Sequence, residues 1–296
     1  MDAPHVRDVS DWLVADIEAM GSESNVWLRD PDGETWLFKP NRVRQDGQEQ
    51  GEDWAEVLAA SVARLLGVPT AFAEVVVRGS VRGALSRNIL SSWQRVEGWE
   101  LQAGRVLLGL ADLPGLKPRE RHPGHTVEAV MRALMEVAPP AGAPGMTAQQ
   151  AFAGYLVLDA LIANQDRHER NWAVLVRPSG DLELAPSYDH GAALGSALRD
   201  DRRARMLQEG RVVTYADRGA GKQIENGQTT LVAVALMALR VSGGDAAGRW
   251  LDRLGEVADA DLVAAVAATP RMSDPARTFC SSLLIENRRR LLDARP

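Results

Sequence analysis

From Asn25 to Lys39 the chain reads NVWLRDPDGETWLFK, two short apolar runs on either side of an Asp-Pro-Asp-Gly turn, which predicts a β-hairpin. The period then changes. In EDWAEVLAASVARLLGVP, Trp54, Leu58, Val62 and Leu65 recur at helical spacing, with Gly67 and Pro69 as stop signals. AFAEVVVRG and GALSRNIL predict two more strands joined by a tight turn, so residues 1–90 are expected to be β-rich around one helix. Beyond about residue 95 the pattern is mainly helical. APPAGAPG at 138–145 predicts a surface loop, and Thr147 to Gln150 has the spacing of a capping box that opens the next helix. That helix, AFAGYLVLDALIA, is apolar nearly all round and should be buried. TTLVAVALMALR, RWLDRLGEVADADLVAAVAA and TFCSSLLIENRRRLL are further helix candidates.

The buried helix ends abruptly in a polar knot, NQDRHERN, at residues 164–171. After it comes WAVLVRPSGDLELAPSYDHG, a second hairpin pattern with Pro178-Ser-Gly180 as its turn. A turn centred near residue 179 sets Asn171 opposite about residue 187 and carries Asp189 to the same end of the hairpin. Asn171 and Asp189 are hard oxygen donors of the kind Mg2+ takes in small number, the rest of its shell coming from water and phosphate. Asp166, at the mouth of the helix, could accept the proton of a substrate hydroxyl, and these are the parts of a phosphoryl-transfer site. A plainer account makes Asp166 and Asn171 caps of a polar helix exit. It explains one polar cluster and leaves the hairpin partner, the lysine strand and the glycine turn unexplained.

The five-residue spacing from Asp166 to Asn171, with Asp189 beyond a hairpin, resembles the catalytic loop and metal-binding Asp of protein-kinase-like enzymes. The wording departs from the eukaryotic form, since His168 follows the Asp and YDHG stands in place of Asp-Phe-Gly. In this it is similar to the HipA-like Ser/Thr kinases of bacteria and, more distantly, to the phosphoinositide-kinase group. The likeness to HipA-like proteins extends to the Asn164 lead-in, LAPSYDHG, EVLAASVARLLGVPTA and FKP. It implies an α+β, bilobal protein-kinase-like fold, with a small β-rich lobe over residues 1–92 and a larger, mainly helical lobe over 93–296. It further implies ATP and Mg2+ as cofactors, Asp166 as base, and Asn171 and Asp189 as metal ligands. Gly21, Ser22, Glu23 and Ser24 precede the hairpin, where small residues let backbone N–H groups approach phosphate. Lys39 is then assigned to the α/β-phosphates, with Glu56 or, one turn earlier, Glu52 as its acidic partner. Asn164, His168 and His190 are supporting residues that fix the loop or orient Asp189. The adenine-binding hinge is expected near Leu90 to Trp93.

Composition narrows the setting. Lysine occurs only at positions 39, 117 and 222 although the cationic residues number 34, so a lysine at the end of the hairpin is consistent with a site wanting a compact ammonium. The net charge of −6 gives no general attraction to nucleic acid. The lone cysteine, Cys280, excludes an internal disulfide framework. No run is long and apolar enough to span a bilayer and the N-terminus has no signal-peptide layout, so a cytoplasmic location is expected. His122 and His125, in RHPGHT, lack the carboxylates or cysteine that would complete a metal site and read as loop residues. Residues 197–228 read as solvated loop and helix surface, with Lys222 unassigned. HipA-like kinases act on protein Ser/Thr residues, often including a serine of their own phosphate loop, which makes Ser22 and Ser24 autophosphorylation candidates. The chain begins close to the nucleotide loop, without the N-terminal subdomain through which HipA toxins meet an antitoxin, so an antitoxin partner is doubtful. Three functions stay open: a protein kinase, a kinase for a lipid headgroup or small molecule, and a catalytically silent nucleotide-binding module.

Overall fold

The computed structural model describes residues 6–17, 25–110 and 122–295 of the chain. The first group of strands is β1 (Arg7–Asp8), β2 (Leu13–Ile17), β3 (Val26–Arg29), β4 (Thr35–Pro40), β5 (Ala73–Arg78) and β6 (Val81–Arg87). They form one sheet in the order β1-β5-β6-β4-β3-β2. The expected hairpin is β3–β4, with Val26 opposite Phe38. Its turn is closed at Gly33, whose N–H donates to the Asp30 carbonyl at 3.0 Å. The phosphate-loop candidates Gly21, Ser22, Glu23 and Ser24 lie outside the described residues, as does Lys117. Strand β2, earlier in the chain, pairs with β3, Ile17 standing opposite Val26. Sequence reading missed β2 because all five of its residues are exposed, so it shows no alternation of buried and exposed positions.

The single helix of this region, α1 (Glu52–Leu66), is stopped by Gly67 at φ 72°, the left-handed conformation glycine adopts without steric cost. Trp54, Leu58 and Val62 are buried, and so are Ala55, Ala59, Ala60 and Ala63 on the other side. A helix whose two faces are both covered lies between the sheet and the helical region rather than on a surface, and α1 contacts β5, β6 and several later helices.

The later part of the chain holds α2 (Ser92–Val96), α3 (Gly104–Leu107), α4 (Val127–Ala133), α5 (Ala148–Leu161), α6 (Asp200–Gln208), α7 (Val212–Asp217), α8 (Leu231–Val241), α9 (Ala246–Glu256), α10 (Asp259–Ala268) and α11 (Asp274–Asp293). The sheet-rich N-terminal region and helical C-terminal region make the fold class α+β, as expected. Helix α5 opens on the expected capping box, with Thr147 Oγ1 accepting from Gln150 N and Gln150 Oε1 from Thr147 N. Twelve of its fourteen residues are buried, from Phe152 through Leu161 without a break. Gly154 permits this: a methyl there would stand 2.3 Å from the Trp250 ring.

Three expectations need correction. The region beyond 95 is not helix plus one hairpin, since β7 (Glu100–Ala103) pairs with β8 (Ala173–Val176), which pairs in turn with β9 (Leu182–Leu184). RWLDRLGEVADADLVAAVAA is two helices, broken at Val257, whose ψ of 110° is extended, and Asp261 caps the second by accepting from Ala258 N. Residues 197–228 are not only solvated surface, because Met206, Val212, Ala216 and Ile224 enter the main core. Among the described residues no helix is long and apolar enough to cross a membrane.

Candidate active site

The polar knot begins where α5 runs out. Ala163 takes φ 53° and the Asn164 N–H returns to the Asp159 carbonyl at 2.8 Å, closing the helix. Asn164 then works in two directions: its Nδ2 donates to Asp159 Oδ1 at 2.8 Å and its Oδ1 accepts from Asp166 N at 3.2 Å. Asn171 Nδ2 donates to the Asp166 carbonyl at 2.9 Å, so the oxygen donor of that side chain is Oδ1. His168 Nδ1 accepts from Arg170 N at 3.1 Å and serves the loop as a scaffold. Asp166 and Asn171 therefore sit at the two ends of one compact turn, joined by a side-chain bond.

The second hairpin closes as its turn residues demand, with Gly180 at φ 89° and its N–H donating to the Arg177 carbonyl. Val174 faces Leu184, and continuing that register sets Asn171 opposite Ser187, two residues before Asp189. The Ser187 backbone is held from the far side, its N–H donating to the Pro69 carbonyl and its carbonyl accepting from Ala71 N, both at 2.9 Å. Asp189 itself has φ 62°. A non-glycine residue pays of order 1 kcal/mol for such a conformation, which persists where neighbours over-determine it and is common at functional sites.

Lys39 reaches this point from the sheet, its Nζ lying 2.7 Å from Asp189 Oδ1. Strand β6 packs close behind it: a methyl at Gly83 would be 2.3 Å from the Lys39 carbonyl oxygen. Burial works to raise the Asp189 carboxyl, but the Lys39 ammonium, aided by His168 and His190, outweighs it and holds the pKa at about 2. Glu56 is buried, and its described partner is His190: Oε2 accepts from His190 N at 2.7 Å and Oε1 lies 3.6 Å from Nδ1. The lysine's described ion pair is thus with Asp189, and Glu56 supports the residue next to it. Glu52, the alternative, pairs with Arg42.

Arg167, for which the spacing of the loop implies no role, joins several of its segments. Its Nε and Nη2 donate to Asp159 Oδ2 and Oδ1, both at 2.8 Å, in a two-pronged pair whose side chains are each 2% exposed. Burial opposes the charge on Arg167, and the Asp159 carboxylate more than offsets this, so the guanidinium pKa is raised. A signal for Asp159 was present: it is the only charged residue between Glu136 and Asp166, and a lone carboxylate in a buried helix requires a partner.

His125 is not a loop residue in the solvated sense. It is fully buried, stacks on Trp172, accepts from Trp172 Nε1 at 3.1 Å and lies 2.8 Å from the Gln223 carbonyl. An Nδ1–H tautomer satisfies both contacts, and burial holds its pKa down to about 4. Among the described residues there is no cluster of three or more His, Cys, Asp or Glu suited to a metal. The donor set that remains, an amide oxygen and a carboxylate beside a lysine, suits Mg2+ shared with phosphates better than an all-protein cage.

Residues 14–223, well over half of the chain, match the model of the HipA-like C-terminal domain. The chain belongs to that family. Among solved structures, a Helicobacter pylori proinflammatory kinase, CtkA, aligns over 98% of this HipA-like chain and 96% of its own length, with a TM-score of 0.70 and 15% identity. The HipA protein of Shewanella oneidensis MR-1, solved in a toxin–antitoxin complex with HipB and operator DNA, aligns over 88% of the chain with a TM-score of 0.56 and 12% identity. The chain covers 60% of that protein. At such identities the likeness is one of fold. No curated protein matches the chain. Family and fold together support a phosphotransferase of the kinase type.

Proposed function

We propose that this HipA-like chain is an ATP- and Mg2+-dependent protein serine/threonine kinase, with residues 1–92 as its nucleotide-holding lobe and 93–296 as its catalytic lobe. The observation that carries the reading is the meeting of Lys39, from the sheet, with Asp189, from the second hairpin, at 2.7 Å beside the Asp166–Asn171 turn. This supports reading Lys39 as the cation for phosphate, Asn171 and Asp189 as two hard oxygens for a metal, and Asp166 as the carboxylate base. Asn171 Oδ1 and the Asp189 carboxylate would hold the Mg2+, which when bound offsets phosphate charge. Lys39 neutralises the nonreacting phosphates. Asp166 orients the attacking hydroxyl and takes its proton as the hydroxyl oxygen bonds to the γ-phosphorus and the bond to ADP breaks. Glu56 and His190 keep the Asp189 segment in register with α1. Ser22 and Ser24 are the proposed autophosphorylation sites; a dianion there would compete with the nucleotide phosphates. No antitoxin is proposed.

The test is incubation with γ-labelled MgATP and a cell extract, comparing wild type with Asp166→Asn. Label is expected in protein serine or threonine, falling about 10²–10⁴-fold in the variant, the range ascribed to a general base. Label found only in a lipid or small molecule would select a different kinase class. ATP binding without any transfer would make the chain a silent nucleotide-binding module and refute the enzyme reading.

A further inference from the structure

Two of the proposed site residues, Asn171 and Asp189, lie on different segments, yet a metal shared between them requires fixed spacing. The Arg167 side chain touches both segments. Nη1 donates to the Asn171 carbonyl and, at 3.4 Å, to the Tyr188 carbonyl. Nη2 donates to Ser187 Oγ at 2.9 Å and lies 3.2 Å from His190 Nε2, which itself is 2.8 Å from Ser187 Oγ. The three contacts at 187, 188 and 190 bracket Asp189 without using its carboxylate. Nε and the remaining Nη2 bond run to Asp159 on α5, so the guanidinium is anchored in the core while its other edge spans the two segments.

We propose that Arg167 is a positioning residue that sets the distance between Asn171 and Asp189, and so the affinity of the site for its divalent cation. The inference rests on reading those two residues as metal ligands. Its physical basis is the planar fork of arginine, which offers five N–H donors at fixed angles; lysine carries the same charge on one atom with three donors and cannot reach Asp159, Asn171 and Ser187 together. His190 extends the arrangement to α1 through Glu56, so the position of that helix is passed to the ligand pair by the same hub.

The experiment measures Mn2+ binding by electron paramagnetic resonance of the free ion, with a nonhydrolysable ATP analogue present, alongside thermal unfolding. Arg167→Lys is expected to weaken Mn2+ binding about 10–100-fold, the usual range for residues that orient metal ligands. Ser187→Ala removes one contact while leaving the backbone bonds of residue 187 in place, and should weaken it in the same direction by a smaller factor. Asn171→Ala and Asp189→Asn are the controls. If neither control alters Mn2+ binding, the metal reading itself fails. If both weaken it while Arg167→Lys, folded, and Ser187→Ala bind Mn2+ as wild type does, Arg167 only supports the fold and the inference is overturned. Should Arg167→Lys not fold, unchanged Mn2+ binding in Ser187→Ala alone overturns it.

Discussion

Replacing Asp159 with leucine leaves the Arg167 guanidinium buried without its counter-charge, and the cost can be worked from the contacts. Asp159 accepts three hydrogen bonds, from Arg167 Nε, Arg167 Nη2 and Asn164 Nδ2, all at 2.8 Å. Both partners of the ion pair are 2% exposed, so water does not repair the loss. Truncating one side of such a pair costs about 3–5 kcal/mol, a large share of the roughly 5–15 kcal/mol that holds a domain folded. Arg167→Met should cost a comparable amount, because the Asp159 carboxylate is then stranded. The double variant Asp159→Leu/Arg167→Met buries no unpaired charge and loses chiefly the hydrogen bond from Asn164 Nδ2 and those to the Asn171, Ser187 and Tyr188 oxygens. It should therefore be less destabilised than the sum of the single changes by at least about 2 kcal/mol. Guanidinium unfolding of the four proteins measures this coupling. Single changes that add, or a cost below about 1 kcal/mol for Asp159→Leu, would refute the claim that the pair is a buried, mutually dependent unit.

Two further outcomes are expected. Burial lowers the pKa of His125 to about 4, whereas the unfolded chain takes up that proton near pH 6.5. Between these values the unfolded state binds more protons, so the stability contributed by neutral His125 is full above pH 6.5 and lost as pH falls toward 4, about 3 kcal/mol in all. Denaturant titrations across this range should show a shallower pH slope in His125→Gln, and an unchanged slope would contradict the burial of a neutral imidazole. Cys280 is fully buried and burial pushes its thiol pKa up to about 12. It should resist a thiol reagent in the native protein and react as one equivalent in denaturant; fast native labelling would place it elsewhere.

The architecture was readable where a local pattern coincided with the tertiary environment. The β3–β4 hairpin, α1, the capped and wholly apolar α5, and the hairpin after Trp172 all carry their own turn or cap residues, and the register that pairs Val174 with Leu184 follows from turn length alone. Strand β2 and strand β7 were not readable. The first is exposed throughout and the second is short, with two residues exposed and two half-buried, so neither carries a periodic apolar signal; each is specified by the strand it pairs with.

The same division runs through the candidate site. The spacing from Asp166 to Asn171 and the hairpin leading to Asp189 are properties of short stretches, because turn geometry acts over a few residues. The partners of Lys39, Glu56 and Arg167 lie 150, 134 and 8 residues away respectively, and spacing along the chain cannot rank such pairings. What decided them was burial: a guanidinium and a carboxylate removed from water must meet someone, and only the folded arrangement of α1, α5 and the second hairpin determines whom.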